Sequence, residues 1–396
     1  MDFSFTPQDA AFRQEVASFV ARELPGCQGE YLLDLEDDSD ADWRLAVEMT
    51  RKLGRQGWLV MGWPGEWGKG YSHSQKLIFE EEIAYRRVPI ANRGGGSWDW
   101  VVPALVIYGT EEQKREFLPG IAAGETVFCT LYSEPNAGSD LASLTTSAVA
   151  DGDDFVVNGQ KIWTSGAHRS GWGWLAARTD FSAPKHKGIS NFLVPMDAPG
   201  IRIRPLVNMA DVHHFNEVFF DHVRIPKRYL VGELNRGWYQ TAVALDYERS
   251  TGIGYVASAR RTLEELVDYA RSTRRNGHTL AQEPLVRARL AELKINVDVC
   301  RMLAYRLNWL QSRGTQPNAE ASIVKATSTE LLQKAAATGL QILGLHGQLR
   351  PGSKAARLGG HMLQMHLAYV SMTIAAGTSE IQRNIIAQRG LGLPRT

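Results

Sequence analysis

The stretch YSEPNAGSDLASLTTSAVADGDDFVVNGQKIWTSGAH, residues 132–168, decides the fold class because a β-strand pattern begins within it. Its two short β-prone runs are bounded by Asp151-Gly152 and Asn158-Gly159, dipeptides that supply the positive φ angles of tight turns. Similar runs, separated by turn residues, follow as far as Pro226. This pattern predicts a small antiparallel barrel or sandwich in the middle of the chain.

Helical periodicity lies on both sides of this β zone. Near the start of the chain, Thr6 is placed to cap a helix whose first residue is Pro7. At 396 residues the chain exceeds the roughly 250 to 300 residues at which a single core stops growing, so several packed domains are expected. We predict an α+β fold with an N-terminal helical domain (1–127), a middle antiparallel β domain (128–231) and a C-terminal helical bundle (232–396).

Three helical segments carry specific expectations. In SHSQKLIFEEEIAYRR (72–87) the apolar residues are expected on a buried face, with the acids and arginines toward water. The segment RTLEELVDYARSTRRNG (261–277) is predicted to close on a C-terminal cap at Asn276-Gly277. The segment 284–314 has a wide apolar stripe, typical of a bundle or an oligomer seam. The residues of that stripe are Leu285, Leu290, Leu293, Ile295, Val299, Leu303 and Leu307.

Composition excludes some classes of function. The 44 basic and 43 acidic residues nearly cancel, so nothing indicates a nucleic-acid partner. Cys27, Cys129 and Cys300 form no CxxC pair, which favours a reducing compartment and a cytoplasmic location. No run of about 18 apolar residues occurs, so no membrane span is predicted. The histidines show no recognised zinc spacing, and no metal site is expected; the pairs considered are His213-His214 and His361 with His366.

The residue types around Trp163 suggest a binding site for a flat polar ring. Small hydroxyl and backbone donors surround an indole that could stack on such a ring. The donors are Ser133, Gly138, Ser139, Thr164 and Ser165. From residue types and spacing alone, a turn-rich β domain with a tryptophan in its core is favoured over a binding site.

Four motifs in the same order resemble the acyl-CoA dehydrogenase family along essentially the whole chain. YSEPNAGSD and NGQKIWTSG stand where that family has TEP-x-A-GSD and NG-x-K-x-W. FFDHVRIP with LVGELNRGW resembles its exit from the β domain, and GTSEIQRNIIAQRGLGLP resembles its closing helix. The resemblance implies FAD held non-covalently between the β domain and the C-terminal helices, usually in a tetramer. It also implies oxidation of an acyl-CoA thioester at Cα and Cβ, with electrons passed to an electron-transferring flavoprotein.

The resemblance also implies roles for individual residues. Trp163 would lie against the flavin ring, Ser133 and Ser165 would hydrogen-bond its polar edge, and Ser139 would lie near the substrate. The full cofactor-binding set is Leu131, Ser133, Trp163, Ser165, Arg274, Gln341, Gly344, Thr378 and Glu380. RSTRRNG departs from the family pattern, and Arg274 would replace the arginine that contacts a pyrophosphate in a neighbouring subunit.

The residues after Gly377 in IAAGTSEIQR (374–383) are typical of a helix start. The segment lacks the acid that the family uses as its catalytic base. Ala376 stands at the position of that acid and keeps only a backbone N–H to polarise the thioester carbonyl. The isovaleryl-type and long-chain-type branches carry their base earlier, where this chain has Glu248-Arg249. We predict Glu248 as the base, its pKa raised by burial and restrained by Arg249; the alternative is an ordinary surface residue of a helix.

Small side chains at Ala375 and Ala376 predict a pocket for branched, cyclic or polycyclic acyl chains, as in the actinobacterial sterol-side-chain subgroup. Some members of that subgroup form heterotetramers, so a homotetramer and a heterotetramer both remain open. Two other functions also remain open. The chain could be a non-catalytic subunit that completes another chain's site, or a flavin monooxygenase of the same fold.

Overall fold

The computed structural model describes residues 4–24, 39–63, 65–93, 96–241, 252–315 and 317–394. The chain divides into two compact units. One contains Met1–Leu33, Ser72–Val88 and Arg249–Thr396, and the other contains Asp34–Tyr71 and Pro89–Glu248. The boundaries of the three domains predicted from the sequence stay a prediction.

The α-helices, in chain order, are α1 Pro7–Glu23, α2 Asp40–Gln56, α3 His73–Tyr85, α4 Val102–Tyr108, α5 Glu111–Ala122, α6 Gly252–Ser272, α7 Pro284–Ser312, α8 Asn318–Leu343, α9 His361–Ala368 and α10 Ser379–Ile385. The strands are β1 Phe128–Leu131, β2 Ser147–Asp151, β3 Asp154–Lys161, β4 Trp172–Arg178, β5 Ile189–Pro195, β6 Ile201–Leu206, β7 Phe215–Pro226, β8 Leu230–Val231, β9 Arg274–Arg275 and β10 His278–Thr279. No helix in these described ranges is long and apolar enough to cross a membrane.

The second unit is built on an eight-stranded sheet with the order β6-β7-β3-β2-β4-β5-β8. Strand β1 pairs with β4 outside this path. Both β1 and β2 run parallel to β4, whereas the other neighbouring strands of the sheet are antiparallel. The antiparallel-rich β domain between helical segments confirms the predicted α+β class. Its core contains side chains from β1, β4, β5 and β7; fully buried examples are Phe128, Leu175, Phe192 and Val218.

Of the two turns predicted within residues 132–168, one is observed and the other is not. Gly152 adopts φ +59° in the tight connection between β2 and β3, as predicted. Asn158-Gly159 is not a turn: β3 continues through it, with a register shift between Val157 and Gly159. A Cβ on Gly159 would lie 2.5 Å from Thr146 Oγ1. The glycine therefore marks a β-bulge with close backbone approach rather than a chain reversal.

The first unit is helical, and its first helix starts as predicted. The Thr6 hydroxyl accepts a hydrogen bond from the Asp9 N–H, and the Asp9 carboxylate accepts one from the Thr6 N–H. This reciprocal capping box satisfies donors that a helix start otherwise leaves without partners. The apolar face of α1 is buried, at Phe12, Val16, Phe19 and Val20.

The acids of α3 do not face water as expected. Glu81 is 2% exposed and forms ion pairs with Arg13 and Arg301 at 2.7 Å each. Burial alone would raise the pKa of Glu81, but the two arginines hold it below its ordinary value. Glu82 is also buried and pairs with Arg13 at 2.5 Å. The prediction that these acids face water was wrong because their charges connect α3 to α1 and α7 inside the unit.

One other helical expectation is wrong, and another is met only in part within the unit. Helix α6 ends at Ser272, and Asn276 and Gly277 have positive φ angles in the turn between β9 and β10. This dipeptide is therefore a hairpin turn and not a helix cap. In α7, Leu293 and Leu307 are buried as predicted, whereas Leu285, Ile295 and Val299 are exposed. Only part of the predicted apolar stripe packs within the unit.

Candidate active site

The site residues predicted from the sequence fall in both units, and each unit is described separately. In the second unit, Trp163 follows the end of β3 and has φ +61°, with 60% of the residue exposed. A bulky residue in the left-handed region is strained and must be held by its surroundings. Here the flanking backbone is fixed: Ile162 donates to the Ser133 carbonyl at 2.9 Å, and Thr164 donates to the Asn216 carbonyl at 3.0 Å. The indole is thus presented at the surface by a rigid backbone.

Asn216 fixes this loop further, although sequence reasoning did not single it out. Its side-chain amide donates to the Thr164 carbonyl at 3.1 Å. The same amide lies 3.1 Å from His168 Nδ1, and its oxygen lies 2.8 Å from His213 Nε2. Burial, helped by the charges of His213 and Arg169, lowers the pKa of His168 to about 4. Nδ1 of the neutral His168 ring can therefore accept a hydrogen bond from the Asn216 amide near neutral pH.

Asn92 braces the next residue of the loop. It is buried, has φ +43°, and donates to the carbonyls of Ser165 and Phe128 at 3.2 and 2.9 Å.

The Thr164 hydroxyl is buried and, within the described ranges, has no hydrogen-bond partner. An orphaned hydroxyl costs free energy, so its presence beside an exposed Trp163 is consistent with a site for a polar ring.

The motif residues Glu134 and Lys161 form a buried ion pair behind this loop. Their atoms Oε1 and Nζ lie 2.8 Å apart, and Lys161 also donates to the Tyr132 carbonyl at 3.0 Å. The Glu134 carboxylate accepts further bonds from the Thr145 and Thr146 N–H groups. Burial by itself would raise the pKa of Glu134, but Lys161 and these donors lower it to about 2. Burial lowers the pKa of Lys161 to about 8, although Glu134 opposes this, so the pair is ionic at neutral pH.

The remaining predicted residues of this unit have different environments. The Leu131 side chain belongs to the hydrophobic core. Ser133 and Ser165 are half-buried and Ser139 is exposed. Leu131 is 0% exposed, backbone included, and its predicted contact with a cofactor stays a prediction.

In the first unit, the predicted helix start after Gly377 is observed. Thr378 is the N-cap of α10, and its hydroxyl accepts from the Ile381 N–H at 3.2 Å. Glu380 lies in the first turn and is exposed, and hydrogen bonds from its own backbone N–H and from Thr378 lower its pKa. Ala376 is exposed with φ +53°, and Gly377 has φ +89°. Two successive left-handed residues thus precede the helix.

The other predicted cofactor residues of this unit are exposed. Gln341 lies near the end of α8, and Gly344, with φ +60°, ends that helix. Arg274 lies in β9, where Nη1 donates to the Gly277 carbonyl at 3.2 Å. No described residue of their own unit buries these groups.

Glu248 and Arg249 lie outside the described residues. Helix α6 begins just after them, and the close packing expected there is observed: Gly252, Ile253 and Gly254 are buried. A Cβ on Gly252 would lie 2.4 Å from Val324 Cγ1, so α6 approaches α8 closely at this point. Within the described ranges, no group of three or more His, Cys, Asp and Glu side chains is arranged to hold a metal ion.

Comparison with known proteins defines the family. The models of the acyl-CoA dehydrogenase N-terminal, middle and C-terminal domains match residues 6–125, 129–223 and 235–391. The chain is 38% identical to acyl-CoA dehydrogenase FadE26 of Mycobacterium tuberculosis, over all of this chain and 99% of that protein. It superposes on the Tcur3481-Tcur3483 steroid ACAD with a TM-score of 0.90 at 36% identity, covering 100% of both chains. It superposes on the ChsE4-ChsE5 complex from M. tuberculosis with a TM-score of 0.89 at 37% identity, again over both whole chains. The protein therefore belongs to the acyl-CoA dehydrogenase family, whose members depend on FAD.

Proposed function

We propose that this acyl-CoA dehydrogenase binds FAD and desaturates a bulky acyl-CoA thioester, with Glu248 as the base. The observation that carries the proposal is the combination of backbone conformation and side chain at Ala376. Its exposed, left-handed backbone precedes Gly377 and Thr378, but its side chain cannot accept a proton. The chemistry still needs a carboxylate over the α carbon, and Glu248 is our candidate.

The described residues fit FAD. Trp163 offers an exposed indole face on a fixed backbone, and the Thr164 hydroxyl is buried without a partner there. In the other unit, the buried Ser379 hydroxyl at the first position of α10 likewise has no partner within the described residues. We assign the flavin ring to Trp163, Ser133 and Ser165. The remaining cofactor contacts are assigned to Leu131, Arg274, Gln341, Gly344, Thr378 and Glu380.

Different residues of this chain are assigned to proton removal and to stabilisation of the developing charge. Glu248 removes the weakly acidic α proton, and Arg249 beside it limits how far burial raises the pKa of that carboxylate. When bound, FAD accepts the β hydrogen as a hydride. The Ala376 N–H donates to the thioester carbonyl, where negative charge develops as the α proton leaves.

The acyl chain is proposed to be bulky, branched or polycyclic. Ala375 and Ala376 are both exposed and carry only methyl groups, which leaves room beside the position of the thioester; Ser139 is assigned to the substrate as well. Supporting this, a related structure is described as a steroid ACAD. A steroid-like acyl-CoA is therefore the first substrate to test.

The assembly is proposed to be a tetramer, with an electron-transferring flavoprotein as the acceptor and a cytoplasmic location. Two related structures are described as complexes of two named chains, which favours a heteromeric assembly over a homomeric one. A non-catalytic role in such a complex is the second candidate function. It is favoured by the missing acid at position 376 and by the exposed Arg274 hairpin.

The test is the FAD content of the purified chain and its response to substrate without oxygen. We expect about one FAD per chain and loss of the oxidised flavin absorbance on adding a steroid-like acyl-CoA. A short straight-chain acyl-CoA is the matched control and should bleach more slowly. Colourless protein that gains flavin only with a second, homologous chain would support the non-catalytic role instead.

A further inference from the structure

The backbone at Ala376 and Gly377 is held in a conformation that it would not adopt freely. Ala376 has φ +53°, a region that L residues other than Asn and Asp seldom occupy. The N–H groups of Ala376 and Gly377 have no hydrogen-bond acceptor within the described residues. Strained backbone of this kind persists only where neighbouring groups determine it. Two donors within the same unit do so.

The first donor is Lys325, on α8. Its ammonium lies 2.7 Å from the Gly377 carbonyl oxygen and 3.2 Å from the Met372 carbonyl oxygen. Lys325 is 7% exposed, and its two acceptors lie five residues apart in the loop that leads to α10. Charge-assisted bonds in a buried setting are about twice as strong as neutral ones. Lys325 thus fixes both ends of residues 372–377.

The second donor is Gln382, on α10. Its side-chain nitrogen lies 3.1 Å from the Ala376 carbonyl oxygen and 3.2 Å from the Gly377 carbonyl oxygen. Gln382 is also buried, with its backbone fixed by the helix. The carbonyls on both sides of the Gly377 N–H are therefore held. The held Ala376 carbonyl fixes the Gly377 N–H, because the two lie in one planar peptide group. The Ala376 N–H lies one peptide earlier, where the Ala375 N–H donates to the Ser371 carbonyl at 2.8 Å, so the Ala376 backbone is held on both sides.

We propose that Lys325 is a positioning residue for the dehydrogenation: it holds the Gly377 carbonyl so that the Ala376 backbone keeps its left-handed conformation and its N–H stays aligned with the substrate carbonyl. This inference rests on the proposed role of that N–H. Lys325 acts through the loop and does not itself contact the substrate. Losing it turns a preorganised donor into a mobile one, and misplacement of about 1 Å can cost about 10²-fold in rate.

The test compares Lys325→Met with Lys334→Met in the full-length, FAD-loaded protein. Lys334 lies on the same helix and forms an exposed ion pair with Glu292, so it controls for loss of a lysine from α8. For Lys325→Met we expect kcat to fall about 10- to 100-fold while KM changes less than about 3-fold. Lys334→Met should match the wild type, and Lys325→Arg should recover most of the lost kcat.

A second readout does not depend on turnover. Amide hydrogen exchange of Met372, Ile374 and Ala375, whose N–H groups are hydrogen-bonded locally, should accelerate at least about 10-fold in Lys325→Met and stay unchanged in Lys334→Met, both measured on the FAD-free chain. Gln382→Leu removes the other donor and should lower kcat in the same direction, which keeps the test decisive if Lys325→Met folds poorly. Unchanged kcat with unchanged exchange in a folded Lys325→Met or Gln382→Leu protein would overturn the proposal. So would a loss of kcat without faster exchange.

These outcomes are separable from failure of the proposed base. If Glu248 is not the base, Glu248→Gln keeps its turnover, while Lys325→Met still loses kcat and still loosens the loop. If the contacts of Lys325 with the loop do not matter for turnover, Glu248→Gln loses kcat whereas Lys325→Met keeps it.

Discussion

Lys161 Nζ lies 2.8 Å from Glu134 Oε1 in the interior of the β domain, directly behind the loop that carries Trp163. The two residues come from the two sequence motifs that most resemble the family, and their pairing explains why both motifs carry a charge. The lysine also bonds the Tyr132 carbonyl, next to Ser133. The ion pair therefore connects the two motifs through contacts within the protein itself.

This pair predicts acid sensitivity. The pKa of Glu134 is about 2 in the folded protein against an ordinary 4.5, so its contribution to stability is complete above pH 4.5. The contribution is lost as the pH falls from 4.5 toward 2. The melting temperature of the wild type should drop over this range, whereas Glu134→Gln should start lower and change less.

The matched control for this experiment is Asp140→Asn. Asp140 pairs with Lys185 on the surface, where both side chains are at least half exposed. Such pairs contribute about 0 to 1 kcal/mol, so this variant should follow the wild-type curve. Equal melting temperatures of Glu134→Gln and wild type at pH 7 would contradict the account.

Asn216→Ala should weaken FAD retention. The substitution removes the donor to the Thr164 carbonyl and leaves the half-buried rings of His168 and His213 without their bridging amide. We expect the FAD dissociation constant to rise at least about 10-fold, because the backbone that presents Trp163 loses its support. Fluorescence titration of apoprotein with FAD measures this.

Asn158→Ala is the control for that titration. Asn158 lies in the same β domain, where its side chain accepts from the exposed His222 N–H. Its removal should leave FAD affinity within about 2-fold of the wild type. If both variants bind FAD equally well, Asn216 does not support the cofactor loop.

Glu81→Ala should destabilise the helical unit strongly. The substitution leaves Arg301 facing a buried position without its carboxylate, and leaves Arg13 with Glu82 alone. Breaking a buried pair costs about 3 to 5 kcal/mol, which should lower the melting temperature by roughly 5 °C or more. Glu292→Ala, which breaks an exposed pair with Lys334, should shift it by less than about 2 °C. Similar shifts for both variants would mean that the Glu81 network is unimportant.

Ala376→Glu in a Glu248→Gln background tests whether the vacated position still faces the substrate. Ala376 is exposed and already left-handed, so the longer side chain meets no enclosing wall within the described part of its unit. We expect recovery of at least about 10-fold in turnover relative to Glu248→Gln alone. Ala376→Gln in the same background supplies the bulk without the carboxylate, and should give no recovery.

Several features of the fold were accessible from the sequence because they depend on local chemistry. The Thr6 and Thr378 caps and the Gly152 turn follow from side-chain hydrogen bonds or positive φ within a few residues. The α-β-α order also follows from a change in hydrophobic period. Four family motifs then led to the correct family.

Other features depend on partners distant in sequence, and pattern reading misses them. Glu81 reads as a solvated acid until Arg301, 220 positions away, is placed beside it. Asn158-Gly159 has turn chemistry, but pairing with β7 keeps it inside a strand. Asn92 and Asn216 carry no local pattern at all, and only the folded structure brings them to the Trp163 loop.

The central claim is that the chain uses Glu248 as its base. The most direct measurement is the rate of flavin reduction by a steroid-like acyl-CoA in single-turnover, oxygen-free mixing, with wild type compared to Glu248→Gln at equal FAD content. Asp246→Asn, two residues earlier, is the matched control and should react at the wild-type rate. A base contributes about 10² to 10⁴ in rate, so we predict a fall of at least 100-fold for Glu248→Gln with FAD still bound. A Glu248→Gln protein that holds FAD and reduces it within about 3-fold of the wild-type rate would contradict the account.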